Sequence, residues 1–202
     1  MQSTPYVVRY RERQRLVTSS QGNTTPYVVA YKAGLNCAKI FGARGRHGVG
    51  CGRVGDMSEE FADELSEFVT AQDTVYDQVR HELATGRKRT HWIWYIFPQM
   101  AGLGTSPMSQ RFGIQSRAEA RAYLDHPVLG QRLREFTRLV LAVKHDDIDR
   151  VMGYPDDLKF RSCMTLFAAV APEEPVFKTA LDKFFNGEPD EKTLRLIEES
   201  KS

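Results

Sequence analysis

Pro127–Val143, PVLGQRLREFTRLVLAV, carries Leu129, Leu133, Phe136, Val140 and Val143 three or four positions apart, with arginines between them. That period lays the apolar side chains along one stripe of a helix, and a leading proline has the backbone angle of a first turn. Working outward, Ser116 and Glu119 have capping-box spacing for a helix through Tyr123 and Leu124. Ser106-Pro107 opens a short helix that Gly113 closes. On the other side, Asp146–Gly153 is a brief helical piece, and Pro155–Val170 runs into the apolar MTLFAAV before Pro172 stops it. Val176–Phe185 and Asp190–Ile197 complete that half. Nearer the start, Ser58 is placed to cap a helix with Phe61, Leu65, Phe68 and Val69 on one face. Asp73 is placed to begin another, with Val75, Val79 and Leu83 inward and Gly86 as its stop. Alternating strand patterns are missing after Met57. The expectation is a mainly α, compact single-domain multi-helix globule over residues 57–202.

Composition sets the outer limits. The 202 residues are enough for one domain with a real core, and 41% hydrophobic with 27% charged is ordinary for a soluble globule. The net charge of +2 is unevenly spread: residues 1–56 carry +7, leaving −5 for the remainder. Cys37, Cys51 and Cys163 are odd in number and form no CxxC pair, which argues against a disulfide framework or a zinc ribbon. A reducing, cytoplasmic setting is expected. No run of eighteen apolar residues exists, so no membrane partner is expected. The five histidines show no metal spacing, and no motif calls for a cofactor.

Residues 1–56 look unlike a domain. Eight of the fifteen glycines lie there, and the segment is rich in arginine. Thr-Pro-Tyr-Val-Val occurs at Thr4–Val8 and again at Thr25–Val29, which is too few copies for a repeat fold. The segment is expected to be a poorly ordered basic extension, or upstream sequence before a start at Met57. Arg9, Arg11, Arg13 and Arg15 alternate at period two, which is not the pattern of an amphipathic targeting helix.

Several motifs stand in a distinctive order: FVTAQ at 68–72, HWIW at 91–94 with FPQ at 97–99, GLG at 102–104, HPVLG at 126–130 with Arg132-Leu133, and DLK at 157–159 with Arg161-Ser162 and Thr165-Leu166-Phe167. Together they resemble the domain-of-unknown-function 1810 family, from about Phe68 to Leu196. The resemblance implies a compact, mainly helical single domain. Phe112 stands where the family usually has tyrosine, and Cys163 where serine is usual. The calpastatin label that some members carry fits poorly, because those inhibitors are disordered and this body is patterned to fold.

The chemistry-bearing stretch is Gly86–Ser109, GRKRTHWIWYIFPQMAGLGTSPMS. The loop through Gly102 and Gly104 leads into a helix start at Ser106, where free amides could hold a phosphate. Lys159 and Arg161, with Ser162, could complete an anion clamp, and Trp92, Trp94 and Gln99 could hold a ring. His91 is the one titratable candidate for proton transfer. Structural alternatives stand beside each of these. The glycines could serve a tight turn, both tryptophans could be core, and Asp157 could pair with Arg161 at i, i+4. His126 could be a cap, Arg87-Lys88-Arg89 a solvated turn, and Cys163 an inert buried thiol.

Three classes of function remain open. The first is a pocket for a phosphorylated small molecule, such as a nucleotide or an ADP-ribose-like compound. The second is a protein-interaction module presenting the tryptophans. The third is nucleic-acid binding through the basic head, disfavoured because one cationic tripeptide on an acidic body is a small footprint.

Overall fold

In the computed structural model, residues 61–200 are described. They form ten helices, and among the described residues there is no strand, only an isolated bridge between Met100 and Ile114. In chain order the helices are α1 (Ala62–Asp73), α2 (Tyr76–Ala84), α3 (Ile93–Ile96), α4 (Pro107–Arg111) and α5 (Arg117–Asp125). Then follow α6 (Leu129–Leu141), α7 (Asp149–Met152), α8 (Asp156–Val170), α9 (Pro175–Phe185) and α10 (Glu191–Glu199). The expected helical body is present. The basic head, 1–56, and the Ser58 cap lie outside the described residues.

Helix α8 is the centre of the packing. Phe160, Cys163, Met164, Leu166 and Phe167 are all buried, so the helix is apolar nearly all round and must be enclosed. It packs against α3, α5, α7, α9 and α10. Aromatic rings fill the seams: Phe97 meets Phe160 edge-on at 4.9 Å, and Tyr123 lies 5.6 Å from Phe167. Helix α6 buries the expected Leu129, Leu133, Phe136 and Val140, and its turn at Gly130 runs close against the end of α5.

Caps fall largely where the residues asked for them. Ser106 Oγ accepts from Ser109 N at 3.2 Å, and Ser116 Oγ accepts from Glu119 N at 3.1 Å. Glu119 reaches back to Gln115 N at 2.7 Å, one residue earlier than a reciprocal box would place it. Asp190 Oδ2 accepts from both Thr193 N and Thr193 Oγ1. Two expectations shift. Asp73 ends α1 and does not start α2, because its carboxylate is taken by Arg132 Nη2 at 2.6 Å. Asp157 and Arg161 do not pair, since Arg161 is drawn across to Glu188 and Pro189. No helix among the described residues is long and apolar enough to cross a membrane.

The shared motifs have packing roles. Gln72 is buried, donating to Tyr95 O at 2.7 Å and to Tyr123 Oη at 2.9 Å. His126 Nδ1 accepts from Val128 N at 3.2 Å and Leu129 N at 3.3 Å, so this residue caps the start of α6.

Candidate functional site

The loop after α2 is built around a carboxylate. Gly86, at φ 72°, turns the chain away from α2 in a conformation that glycine adopts without strain. The chain then folds over Glu82. Its carboxylate accepts from Arg89 N at 2.7 Å, Thr90 Oγ1 at 2.8 Å, Trp92 Nε1 at 2.9 Å and Thr90 N at 3.2 Å. Burial pushes this acid up, but those hydrogen bonds outweigh it and hold the group down at about 2. Trp92 is consequently fixed and fully buried.

Beside it runs a chain of charges and rings. Lys88 Nζ lies 2.5 Å from Asp156 Oδ2, and Lys159 Nζ lies 2.6 Å from Asp156 Oδ1. The side chains of Lys88 and Asp156 are 7% and 15% exposed, so this pair is largely withdrawn from water. Each ammonium also sits on an indole: Lys88 is 5.2 Å from the Trp92 centroid and Lys159 is 4.7 Å from that of Trp94. Lys88 N donates to Val151 O at 2.7 Å, which ties the loop to α7.

A cavity of about 420 Å³ opens against this junction, lined by Arg87, Lys88, Asp149, Arg150 and the Val151–Gly153 turn. Arg150 Nε contacts Asp147 Oδ2 at 3.1 Å. Among the described residues the Arg87 and Asp149 side chains have no hydrogen-bond or ion-pair partner. A side chain at Gly153 would meet nothing within 4 Å, so this wall is open. No group of side chains that could hold a metal ion is found among the described residues.

The residues chosen from sequence fall into two sets. Trp92, Trp94 and Lys159 come together through Lys88 and Asp156. The others are held by local partners. His91 is exposed, and its carbonyl accepts from Tyr95 Oη at 3.4 Å. The Gln99 carbonyl accepts from Ile114 N at 2.9 Å. Gly102, at φ 90°, faces Leu196, while Gly104 sits so close to Ser109 that a Cβ would fall 2.7 Å from its Oγ. Ser106 is occupied in capping α4. Arg161 lies over the Phe185 ring and donates to Glu188 O at 3.0 Å, and buried Ser162 donates to Leu158 O at 3.1 Å. Among the described residues no hydrogen bond or ion pair joins the 102–106 loop to Lys159 or Arg161. Trp92 presents no surface to a partner protein, and the large exposed apolar side chains are Tyr154 and Leu158.

Asp149 went unnoticed in the sequence, and the solvated-turn reading of Arg87-Lys88-Arg89 does not hold for Lys88, which is paired with Asp156. One signal was available for Lys88: in an extended segment the middle of three residues faces away from its neighbours. Arg87 and Arg89 are exposed, and Lys88 points in. Burial raises the Cys163 thiol well above its usual range, as expected for an inert cysteine.

The model of the family described as "Protein of unknown function (DUF1810)" matches residues 62–197. No curated protein matches the chain. Among solved structures, the chain is similar to the crystal structure of the conserved hypothetical protein Rv1873 from Mycobacterium tuberculosis. The two are 47% identical, the match covers 67% of this chain and 96% of that one, and the TM-score is 0.66.

Proposed function

We infer that this chain, which belongs to the DUF1810 family, binds a small phosphorylated molecule of the nucleotide or ADP-ribose class in the cavity beside Lys88. The observation that carries this reading is the wall itself. Arg87, Lys88 and Arg150 line one concave surface with Asp149. Asp156 holds Lys88 and Asp147 holds Arg150, while the Arg87 guanidinium is exposed and has no partner among the described residues. The volume is within the range of small-molecule sites, about 300–1,000 Å³. Arg87 supplies donors that no described side chain uses, and a guanidinium suits the geometry of phosphate oxygens. Asp156 holds Lys88 in place from behind. In this reading Lys159, Trp92 and Trp94 are positioning residues that fix the Lys88–Asp156 pair and do not touch the ligand.

Thermal denaturation of the full chain with AMP, ADP-ribose and inorganic phosphate tests the reading. A ligand at one hundred times its Kd stabilises the protein by about 2.7 kcal/mol, and the Arg87→Ala variant should lose most of that gain. If no phosphate-containing compound raises the melting temperature at millimolar concentration, the reading fails.

A further inference from the structure

We propose that Asp149 selects a ligand that carries sugar hydroxyls next to its phosphate, making this cavity a site for a phosphorylated sugar or nucleoside and not for a bare anion. The inference rests on the phosphate-binding reading above and adds a specificity residue to it. Asp149 is the acidic member of a wall whose other charged side chains are Arg87, Lys88 and Arg150. Neighbouring positions on a helix do not face each other, and Arg150 contacts Asp147 instead of the adjacent Asp149. The Asp149 carboxylate therefore stands exposed with no partner among the described residues.

A carboxylate in that position repels a small anion and accepts from hydroxyl groups. A ligand that is only a phosphate gains the cations and suffers the repulsion. It would also leave most of a cavity of about 420 Å³ unfilled. A phosphorylated sugar places its anionic end on Arg87 and its hydroxyls on Asp149, so both unpaired charges of the wall are satisfied by one molecule. Acidic side chains read ribose hydroxyls in this way in dinucleotide-binding folds, which shows the chemistry is sound without implying kinship. The turn at Gly153, where a Cβ would meet nothing, leaves room for the ring.

Calorimetric titration of the full chain with inorganic phosphate, ribose 5-phosphate and ribose decides the matter. Ribose 5-phosphate should bind about tenfold or more tightly than phosphate, the scale of a hydrogen bond to a charged group. Ribose alone should bind far more weakly. In Asp149→Ala the preference should shrink to within about threefold, with phosphate binding better than in the wild type because the repulsion is gone. Asp149→Asn should fall between the two. Arg87→Ala should weaken both phosphorylated compounds alike. Asp149 is exposed and unpartnered, so its variants should melt near the wild-type temperature. If wild type binds phosphate and ribose 5-phosphate equally well, or Asp149→Ala keeps the full preference, the sugar inference is overturned and the phosphate site stands. If neither compound binds, both fall.

Discussion

The indole nitrogen of Trp92 donates to Glu82 Oε2 at 2.9 Å, inside a shell where the same carboxylate also takes Arg89 N, Thr90 N and Thr90 Oγ1. One buried acid thus fixes the path of the 86–92 loop and the ring on which Lys88 rests. Burial opposes the charge, and the hydrogen bonds from Arg89, Trp92 and Thr90 overcome that opposition, bringing the group from 4.5 to about 2. A folded-state value below the unfolded one means stability that is complete above pH ~4.5 and is lost as pH falls towards 2. The contribution at neutral pH is on the order of 2–3 kcal/mol. Urea melts of wild type and Glu82→Gln at pH 7 and pH 3 should show a clear deficit for the variant at pH 7. That deficit should narrow at pH 3; equal deficits would mean the carboxylate charge is irrelevant to the fold.

The Lys88–Asp156 contact carries a different expectation. Both side chains are mostly out of water, so removing Asp156 strands the Lys88 ammonium, whereas removing Lys88 leaves Asp156 its second contact with Lys159 Nζ at 2.6 Å. Breaking such a pair costs about 3–5 kcal/mol, whereas replacing both partners is often nearly neutral. Asp156→Ala should melt well below wild type and Lys88→Met less far below it, and the double variant should recover much of the Asp156→Ala loss. Strict additivity in this cycle would show that the two residues act independently.

Gly130 lies where the first turn of α6 runs against the end of α5. A Cβ built there would stand 1.8 Å from the Leu124 carbonyl oxygen, which is backbone and cannot swing aside. Gly130→Ala must therefore part α5 from α6. Overpacking of this kind costs about 1–3 kcal/mol or more, and a chain of this size loses about 2–4 °C in Tm for each kcal/mol. A melting temperature unchanged from wild type would contradict the packing described.

How much of this was legible beforehand follows from the range of each interaction. The stripe Leu129, Leu133, Phe136 and Val140 was readable because helical period is a local property, and all four side chains are buried. Ser106 and Ser116 as caps were readable for the same reason. The partners of Arg161 were not. An i, i+4 pair with Asp157 is worth only about 0.2–0.5 kcal/mol, and three acceptors on Glu188 and Pro189 together with the Phe185 ring exceed it. Lys88 and Asp156 lie far apart in the chain, and no local pattern announces that α8 begins beside the 86–92 loop. The glycine loop had the composition of an anion cradle, yet Ser106, Ser109 and Leu196 occupy its surroundings.

His126 offers a last test, because its role depends on protonation. Its Nδ1 accepts from Val128 N and Leu129 N, and an imidazolium has no lone pair there to accept with. Burial and then the nearby Arg132 charge both push its pKa below 6.5. A folded-state value lowered in this way gives stability that is complete above the unfolded pKa of about 6.5 and declines as pH falls below it. Wild type should therefore lose stability between pH 7 and pH 5. His126→Asn keeps a side-chain acceptor that does not titrate and should lose less over that interval. His126→Ala should be less stable than wild type at pH 7 by about 1 kcal/mol, the usual worth of an N-cap, with the gap closing at pH 5. The measurement is Tm against pH for the three proteins, and parallel curves would show that this histidine does not cap α6 through its neutral ring.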